Sequence, residues 1–243
     1  MSTAVRDQAE GLRRMVNVRS VRCVGVLGPR DLDLELLADA LADAWQQRGR
    51  SVVVLELRPD ASDRRSSGAA IALPPTAAEL PAWLGALPPV DVVLGVLDPL
   101  ERAWPCLGFD EFVMVASARP EHLTRAYSQL KALSACTGRT SCHVMFTRTA
   151  AEAANVPMQN IQNTARRFLG CVPEALGSIP DDAVLLQSAQ LGLRAVEAHP
   201  RSPAVRVVRL AVERLDSMAP RTTDWSDWLQ RLDRAHRLAQ AGA

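Results

Sequence analysis

Apolar residues along this chain alternate between strand-like runs and helix-like periodicity. Val21 to Leu27 is β-branched and mostly apolar on both faces, as a strand buried in a parallel sheet must be. The following LELLADALADAWQQRG keeps helical spacing up to Gly49, with Asp31 placed as its N-cap. Ser51 to Leu57 (SVVVLEL) reads as a second buried strand. Strand, helix and strand in succession predict a βαβ unit with a right-handed crossover and a parallel sheet.

The alternation continues. Val90 to Leu97, Glu111 to Ala116, Ser141 to Thr147 and Ala175 to Ser178 are predicted strands. Helices are predicted over Pro120 to Ala132, Met158 to Leu169, 182–191 and 203–219, with a short one over 79–87. Residues 59–78, rich in Asp, Ser, Arg, Pro and Ala, read as a loop, and no internal repeat is visible. The predicted architecture is a doubly wound α/β domain, a mostly parallel sheet flanked by helices, over residues 20–219. Helical extensions flank it at 1–19 and 220–243. In the first, Ala9, Leu12 and Val16 fall at helical spacing with Met15 beside them. In the second, Trp225, Trp228, Leu229, Leu232 and His236 form a stripe that Ala239 completes, with Arg231, Arg234 and Arg237 outside it.

With 243 residues, 48% of them hydrophobic, the chain can bury a sizeable core. A formal net charge of +1 gives no reason to expect direct nucleic-acid binding, which needs a clustered basic face. The five cysteines, Cys23, Cys106, Cys136, Cys142 and Cys171, are scattered and odd in number, and no secretory signal opens the chain. Reduced thiols and a cytoplasmic protein are expected. The apolar runs are strand-length and broken by Pro, Gly or charge, so no transmembrane helix is expected. Cys136, Cys142 and His143 fit no common zinc spacing, and strand alternation sends Cys142 and His143 to opposite faces. His122, His199 and His236 read as solvated side chains near helix ends, and no catalytic set is predicted.

In such a fold the first strand-to-helix turn is the natural phosphate site, because backbone N–H groups and the helix dipole converge there. Here it runs Gly25-Val-Leu-Gly28-Pro29-Arg30-Asp31-Leu-Asp33-Leu-Glu35. Lys131 is the single lysine of the chain, so none stands in this turn. Pro29 removes a donor, and Asp31, Asp33 and Glu35 place negative charge where a triphosphate would lie. Two like charges about 4 Å apart repel by about 4 kcal/mol at an effective dielectric near 20. Arg30 replaces a lysine only in part, because its planar fork is not a compact charge in a tight loop. The acidic residues read as caps of the helix that complement its dipole and exclude an anion.

Ala118-Arg119-Pro120-Glu121-His122-Leu123-Thr124-Arg125-Ala126-Tyr127, with Lys131 beyond it, resembles a MinD-family segment in which a Pro-Glu pair leads into a helix bearing Ala-Tyr and then a lysine. Arg166-Arg167-Phe168-Leu169-Gly170, Leu176-Gly177-Ser178-Ile179-Pro180-Asp181-Asp182 and Pro200-Arg201-Ser202-Pro203-Ala204 resemble that family's later elements, in order. At the N-terminus, Asp7-Gln8-Ala9-Glu10-Gly11-Leu12-Arg13 is similar to the DQAxxLR element of the FlhG (FleN) flagellar-number regulators. The resemblance implies a MinD/SIMIBI-like P-loop NTPase fold and a partner, the signal-recognition-type GTPase FlhF, whose GTP hydrolysis that element stimulates. Gln8 would enter the partner's active site, Asp7 and Arg13 would make polar contacts, and Leu12 would anchor the helix. Ala9 lies within the same element.

The departures are large. The family's Lys-Gly-Gly-x-Gly-Lys-Thr loop is missing from residues 25–35, and its Asp-x-Asp after the second strand is replaced by Glu56-Leu57-Arg58. The Asp ending the third strand, which would organise Mg²⁺, corresponds most closely to Gly95, with Asp98 too far along. The expectation is therefore a pseudo-ATPase with a degenerate P-loop, no cofactor and no metal. It would regulate flagellar number or placement, with flagellar switch (C-ring) proteins or a flagellar transcription regulator as further partners. The alternatives are a divergent ATPase using Arg30 with Mg-ATP, or a scaffold at the inner membrane or cell pole. For the latter the terminal stripe is open to two readings: weak, reversible binding to a membrane surface, as MinD relatives use a terminal helix, or packing on the domain itself.

Overall fold

The computed structural model describes residues 20–32, 34–59, 70–72, 79–138, 142–218 and 222–241. The chain runs β1 (Ser20–Leu27), a 3₁₀ turn (Arg30–Leu32), α1 (Leu34–Gln47), β2 (Val52–Glu56), β3 (Ala70–Ala72), α2 (Leu80–Ala86) and β4 (Val92–Leu97). A second 3₁₀ turn (Trp104–Gly108), β5 (Glu111–Ala116), α3 (Pro120–Thr137), β6 (His143–Phe146), α4 (Ala151–Leu169) and β7 (Glu174–Ser178) follow. The chain closes with α5 (Val184–Gln190), α6 (Ala195–Ala198), α7 (Pro203–Ser217), β8 (Thr222–Asp224) and α8 (Trp225–Ala241).

Among the described residues, seven strands pair in parallel in the order β3-β2-β4-β1-β5-β6-β7. Central strands buried on both faces need apolar side chains at every position, and β4 and β5 are buried throughout. Strand alternation then divides β1 between two cores. Val21, Cys23 and Leu27 face α2, α3, α4 and α8, whereas Val24 and Val26 face α1, α6 and α7. β4 and β5 flank β1, so the connection direction reverses there and a crevice opens beyond the carboxyl ends of these strands.

Several elements depart from the expectation. β3 forms inside the predicted 59–78 loop, and α4 starts at Ala151 with Pro157 inside it rather than at Met158. α3 continues to Thr137 and ends on Gly138 in the left-handed region (φ 66°), as a C-terminal glycine should. Asp31 does not cap α1. The chain makes a 3₁₀ turn over Arg30–Leu32, and α1 begins only at Leu34.

The segment after α7 belongs to the domain. β8 pairs antiparallel with Ser20–Arg22 of β1, and α8 buries Trp228, Leu232 and Ala235. Trp225 and Leu229 are partly buried against the same core. Arg231 clamps Asp110 through both carboxylate oxygens, at 2.9 and 2.8 Å, and donates to the Gly108 carbonyl at 3.0 Å. The terminal stripe therefore packs on the domain itself. No helix among the described residues is long and apolar enough to cross a membrane.

His236, expected to be solvated, tilts onto Trp104 with ring centroids 4.8 Å apart. Burial holds its imidazole below the usual histidine range, while Asp233 pulls it up and Arg102 pushes it down. With the folded value lowered, the unfolded chain takes up this proton first, so stability falls as pH drops below about 6.5. Thermal melts at pH 8 and pH 5 are expected to show a smaller acid-induced loss for His236→Gln than for the unaltered chain.

Candidate functional site

The turns after β1, β2, β4 and β5 converge at the carboxyl edge of the sheet. Gly28 is required there by close approach: a Cβ would lie 2.7 Å from the Val115 carbonyl oxygen and 3.0 Å from Leu34. Gly25, within β1, is equally constrained by Leu97 and Phe112. Both glycines serve packing between strands. The Pro29 carbonyl accepts the Leu32 N–H at 3.2 Å, which closes the 3₁₀ turn. Gly28, Pro29 and Asp31 are thus brought to the carboxyl end of β1, whereas Gly25 lies within the strand. The Arg30 backbone lies in the same turn, but its side chain is outside the described residues.

Around this turn the charged groups satisfy one another. Arg58, just beyond β2, donates to Glu56 through Nε at 2.8 Å and through a terminal nitrogen at 2.7 Å. That terminal nitrogen also meets Glu35, in the first turn of α1. All three are largely withdrawn from solvent, with side-chain exposures of 7%, 7% and 13% for Arg58, Glu56 and Glu35. Burial alone would lower the guanidinium pKa, but the bonds and charges of Glu56 and Glu35 hold it above the ordinary arginine value.

The acid at the end of β4 is Asp98, which corrects the correspondence with Gly95. Gly95 lies mid-strand, and a Cβ there would sit 2.2 Å from the Phe109 ring. Asp98 is 1% exposed. Its Oδ2 accepts from Arg125 of α3 at 2.5 Å, and its Oδ1 accepts the Leu100 N–H at 3.1 Å. The Gln129 amide, also buried, donates to Asp98 Oδ1 at 3.4 Å and to the Gly28 carbonyl at 3.1 Å. One side chain of α3 thereby ties the turn after β1 to the end of β4.

His122 was expected to be solvated and is buried. Its Nε2 lies 2.9 Å from Asp31 Oδ2 and its Nδ1 lies 2.6 Å from Ser117 Oγ. Sequence reasoning missed this cluster because Asp31 and His122 are far apart in the chain and only the sheet order joins them. Two cavities, of about 390 and 430 Å³, open beside it and share Leu32, Arg119, Arg148 and Asp181 in their walls. Arg148 has a left-handed backbone (φ 51°), rare for a residue with a side chain.

This fold recurs in solved proteins. The MinD cell division protein of Aquifex aeolicus superposes with a TM-score of 0.60 at 12% identity, covering 82% of this chain and 98% of that one. The septum site-determining protein MinD of Pyrococcus horikoshii, solved with Mg-ADP, gives 0.59 at 16% identity over 82% and 97%. A ParA family ATPase of Chlorobium tepidum gives 0.57 at 16% identity over 80% and 98%. The fold is that of the MinD/ParA ATPases. At these identities the likeness extends to the fold alone. No protein-family model matches the chain, and no curated protein matches it by sequence.

The remaining predicted site residues divide simply. Trp225, Trp228, Leu229 and Leu232 are brought into the core on the face away from α1. Asp7, Gln8, Ala9, Leu12 and Arg13 lie outside the described residues. Among the described residues no group of three or more His, Cys, Asp or Glu side chains is arranged to hold a metal.

Proposed function

We propose that this chain is a MinD/ParA-fold regulator that acts through partners rather than by hydrolysing ATP. Its N-terminal element would stimulate an FlhF-type signal-recognition GTPase, and through it limit flagellar number or placement. One observation carries the first half: Glu35, Glu56 and Asp98, ringing the end of β1, are already held by Arg58, Arg125 and Gln129. Mg-ATP is the ligand this fold implies, and these residues do not fit it. A cation at Asp98 would have to displace Arg125 and Gln129 from a buried carboxylate they already hold. A triphosphate would meet Pro29 and Asp31 with no lysine to neutralise it.

The second half rests on the resemblance of Asp7 to Arg13 to the FlhG element. A glutamine amide is suited to orienting the water that attacks GTP. A peptide of residues 1–20 is expected to accelerate GTP hydrolysis by the cognate FlhF-type GTPase, and Gln8→Ala to lose about tenfold or more of that stimulation. Absence of stimulation would remove the GTPase half and leave a MinD/ParA-fold protein with other partners. Flagellar switch proteins or a transcription regulator are then the candidates for the α/β body.

A second reading, residual nucleotide binding, is favoured by the open cavity of about 390 Å³ beyond β6 and β7, lined by Thr147, Arg148, Ile179 and Pro180. Calorimetry with Mg-ATP separates the two. The proposal expects no saturable heat, whereas saturable binding that disappears in Arg30→Ala would favour the divergent-ATPase reading.

A further inference from the structure

Ser117 follows β5 directly and precedes α3, on a strand-to-helix turn beside the reversal point of the sheet. Its Oγ lies 2.6 Å from Nδ1 of His122, and Nε2 of the same ring lies 2.9 Å from Asp31 Oδ2. A carboxylate only accepts, so Nε2 carries the ring proton and Nδ1 is left to accept the Ser117 hydroxyl proton. The Arg119 N–H donates to Ser117 Oγ at 3.3 Å, which occupies one oxygen lone pair and leaves the hydroxyl proton directed at the imidazole. Both Ser117 and His122 are nearly buried, yet both line the cavity of about 430 Å³.

Their spacing of five positions accounts for Ser117 and His122 as local partners. It does not account for the third member, which arrives from the turn after β1, 91 positions away. Nor does it account for the pair opening into a cavity that Arg119 and Arg148 also line. Serine is a weak nucleophile unless a base takes its proton and a third group orients that base, and this geometry supplies both.

We propose that Ser117, His122 and Asp31 form a hydrolytic triad whose cavity takes a small carboxylic ester bearing a negative charge. Arg119 and Arg148 line the cavity with Asp181, while the triad's own carboxylate, Asp31, is engaged by His122, so the lining favours an anion, and the volume limits the size. Ser117 Oγ attacks the carbonyl carbon as its proton passes to His122 Nδ1. The carbon–oxygen bond to the leaving alcohol breaks, and the alcohol departs with that proton. Water, giving a proton to the same nitrogen, then adds to the acyl-serine. The acyl–Oγ bond breaks, Ser117 recovers its proton from His122, and the carboxylic acid leaves. Ser117 and His122 are the catalytic residues, and Asp31 is a positioning residue that holds the tautomer. None of this depends on residues 1–19 or on ATP, so it stands or falls apart from the proposed regulatory role.

The test treats the full chain, shown to be folded by circular dichroism, with a fluorophosphonate probe and locates any adduct by peptide mass spectrometry. The expected result is an adduct on Ser117 that His122→Ala abolishes. Steady-state hydrolysis of p-nitrophenyl succinate is expected to exceed that of p-nitrophenyl acetate, with Arg148→Ala erasing the preference. Asp31→Asn is expected to lower kcat by about tenfold or more with KM unchanged, which loss of a merely structural contact would not produce. A folded chain that takes no adduct on Ser117, or ester hydrolysis that survives in Ser117→Ala, would overturn the proposal.

Discussion

Replacing Arg58 with methionine is expected to destabilise the protein by about 3–5 kcal/mol, measured by urea unfolding followed by circular dichroism. Methionine retains much of the arginine stem's volume, so the loss isolates the guanidinium. What remains is two carboxylates, Glu56 and Glu35, taken out of water with no cation between them. The penalty comes from the stranded charges, not from the worth of the intact triad, which predicts an asymmetry. The triple variant Glu35→Leu, Glu56→Leu, Arg58→Met removes every charge and is expected to return to within about 1 kcal/mol of the starting stability, or above it. A single variant as stable as the unaltered chain would mean that water reaches the triad and screens it.

The triad also illustrates what sequence does and does not carry. Glu56-Leu57-Arg58 could be seen as a departure from a metal-binding pattern, but nothing in the chain announces that Arg58 turns back to Glu56 and across to Glu35, 23 positions earlier. Contacts of that kind exist only once the sheet order is set. Asp31 behaves likewise. Local rules make it a helix cap, and the tertiary partner His122 overrides them. For Asp98 the strand bounds are legible, since the apolar run ends at Leu97 as β4 does, but the resemblance matches Gly95, which pairing puts opposite Gly25, mid-strand, with Asp98 at the exit.

The fold itself was more legible. Strands buried on both faces leave continuous apolar runs, and Val21 to Leu27, Val90 to Leu97 and Glu111 to Ala116 needed no tertiary information. β3 did, because Ala70–Ala72 is short and lies within a polar, proline-rich stretch. The first half of α4 was lost to Pro157, since an interior proline costs a helix about 3 kcal/mol or more. Here its ring is buried alongside Ala154, Met158, Ile161 and Ala165. Burial of that helix face offsets the missing hydrogen bond, a balance that no local rule contains.

The terminal helix poses the same question with a larger energy at stake. An amphipathic stripe of tryptophan and leucine is equally suited to a bilayer surface and to a protein core, and only its partner distinguishes them. Trp228 and Leu232 are fully buried, and Leu232 comes so close to Gly108 that a Cβ there would lie 2.8 Å from its Cδ1. Trp228→Ala is therefore expected to lose about 3–5 kcal/mol, by the removal of a large buried side chain and the cavity left behind. Leu238→Ala, on the same helix but 66% exposed, is expected to change stability by no more than about 0.5 kcal/mol. Vesicles of phosphatidylglycerol and phosphatidylethanolamine extend the test. With the stripe engaged in the core, the unaltered chain should remain in the supernatant on sedimentation. Weakened docking in Trp228→Ala should instead expose Trp225, Leu229 and Leu232 and increase vesicle binding. The reverse pattern, binding by the unaltered chain that Trp228→Ala abolishes with no change in its melt, would assign the stripe to the membrane. The two outcomes differ in sign as well as in size, because one tryptophan cannot anchor the core and the bilayer at once.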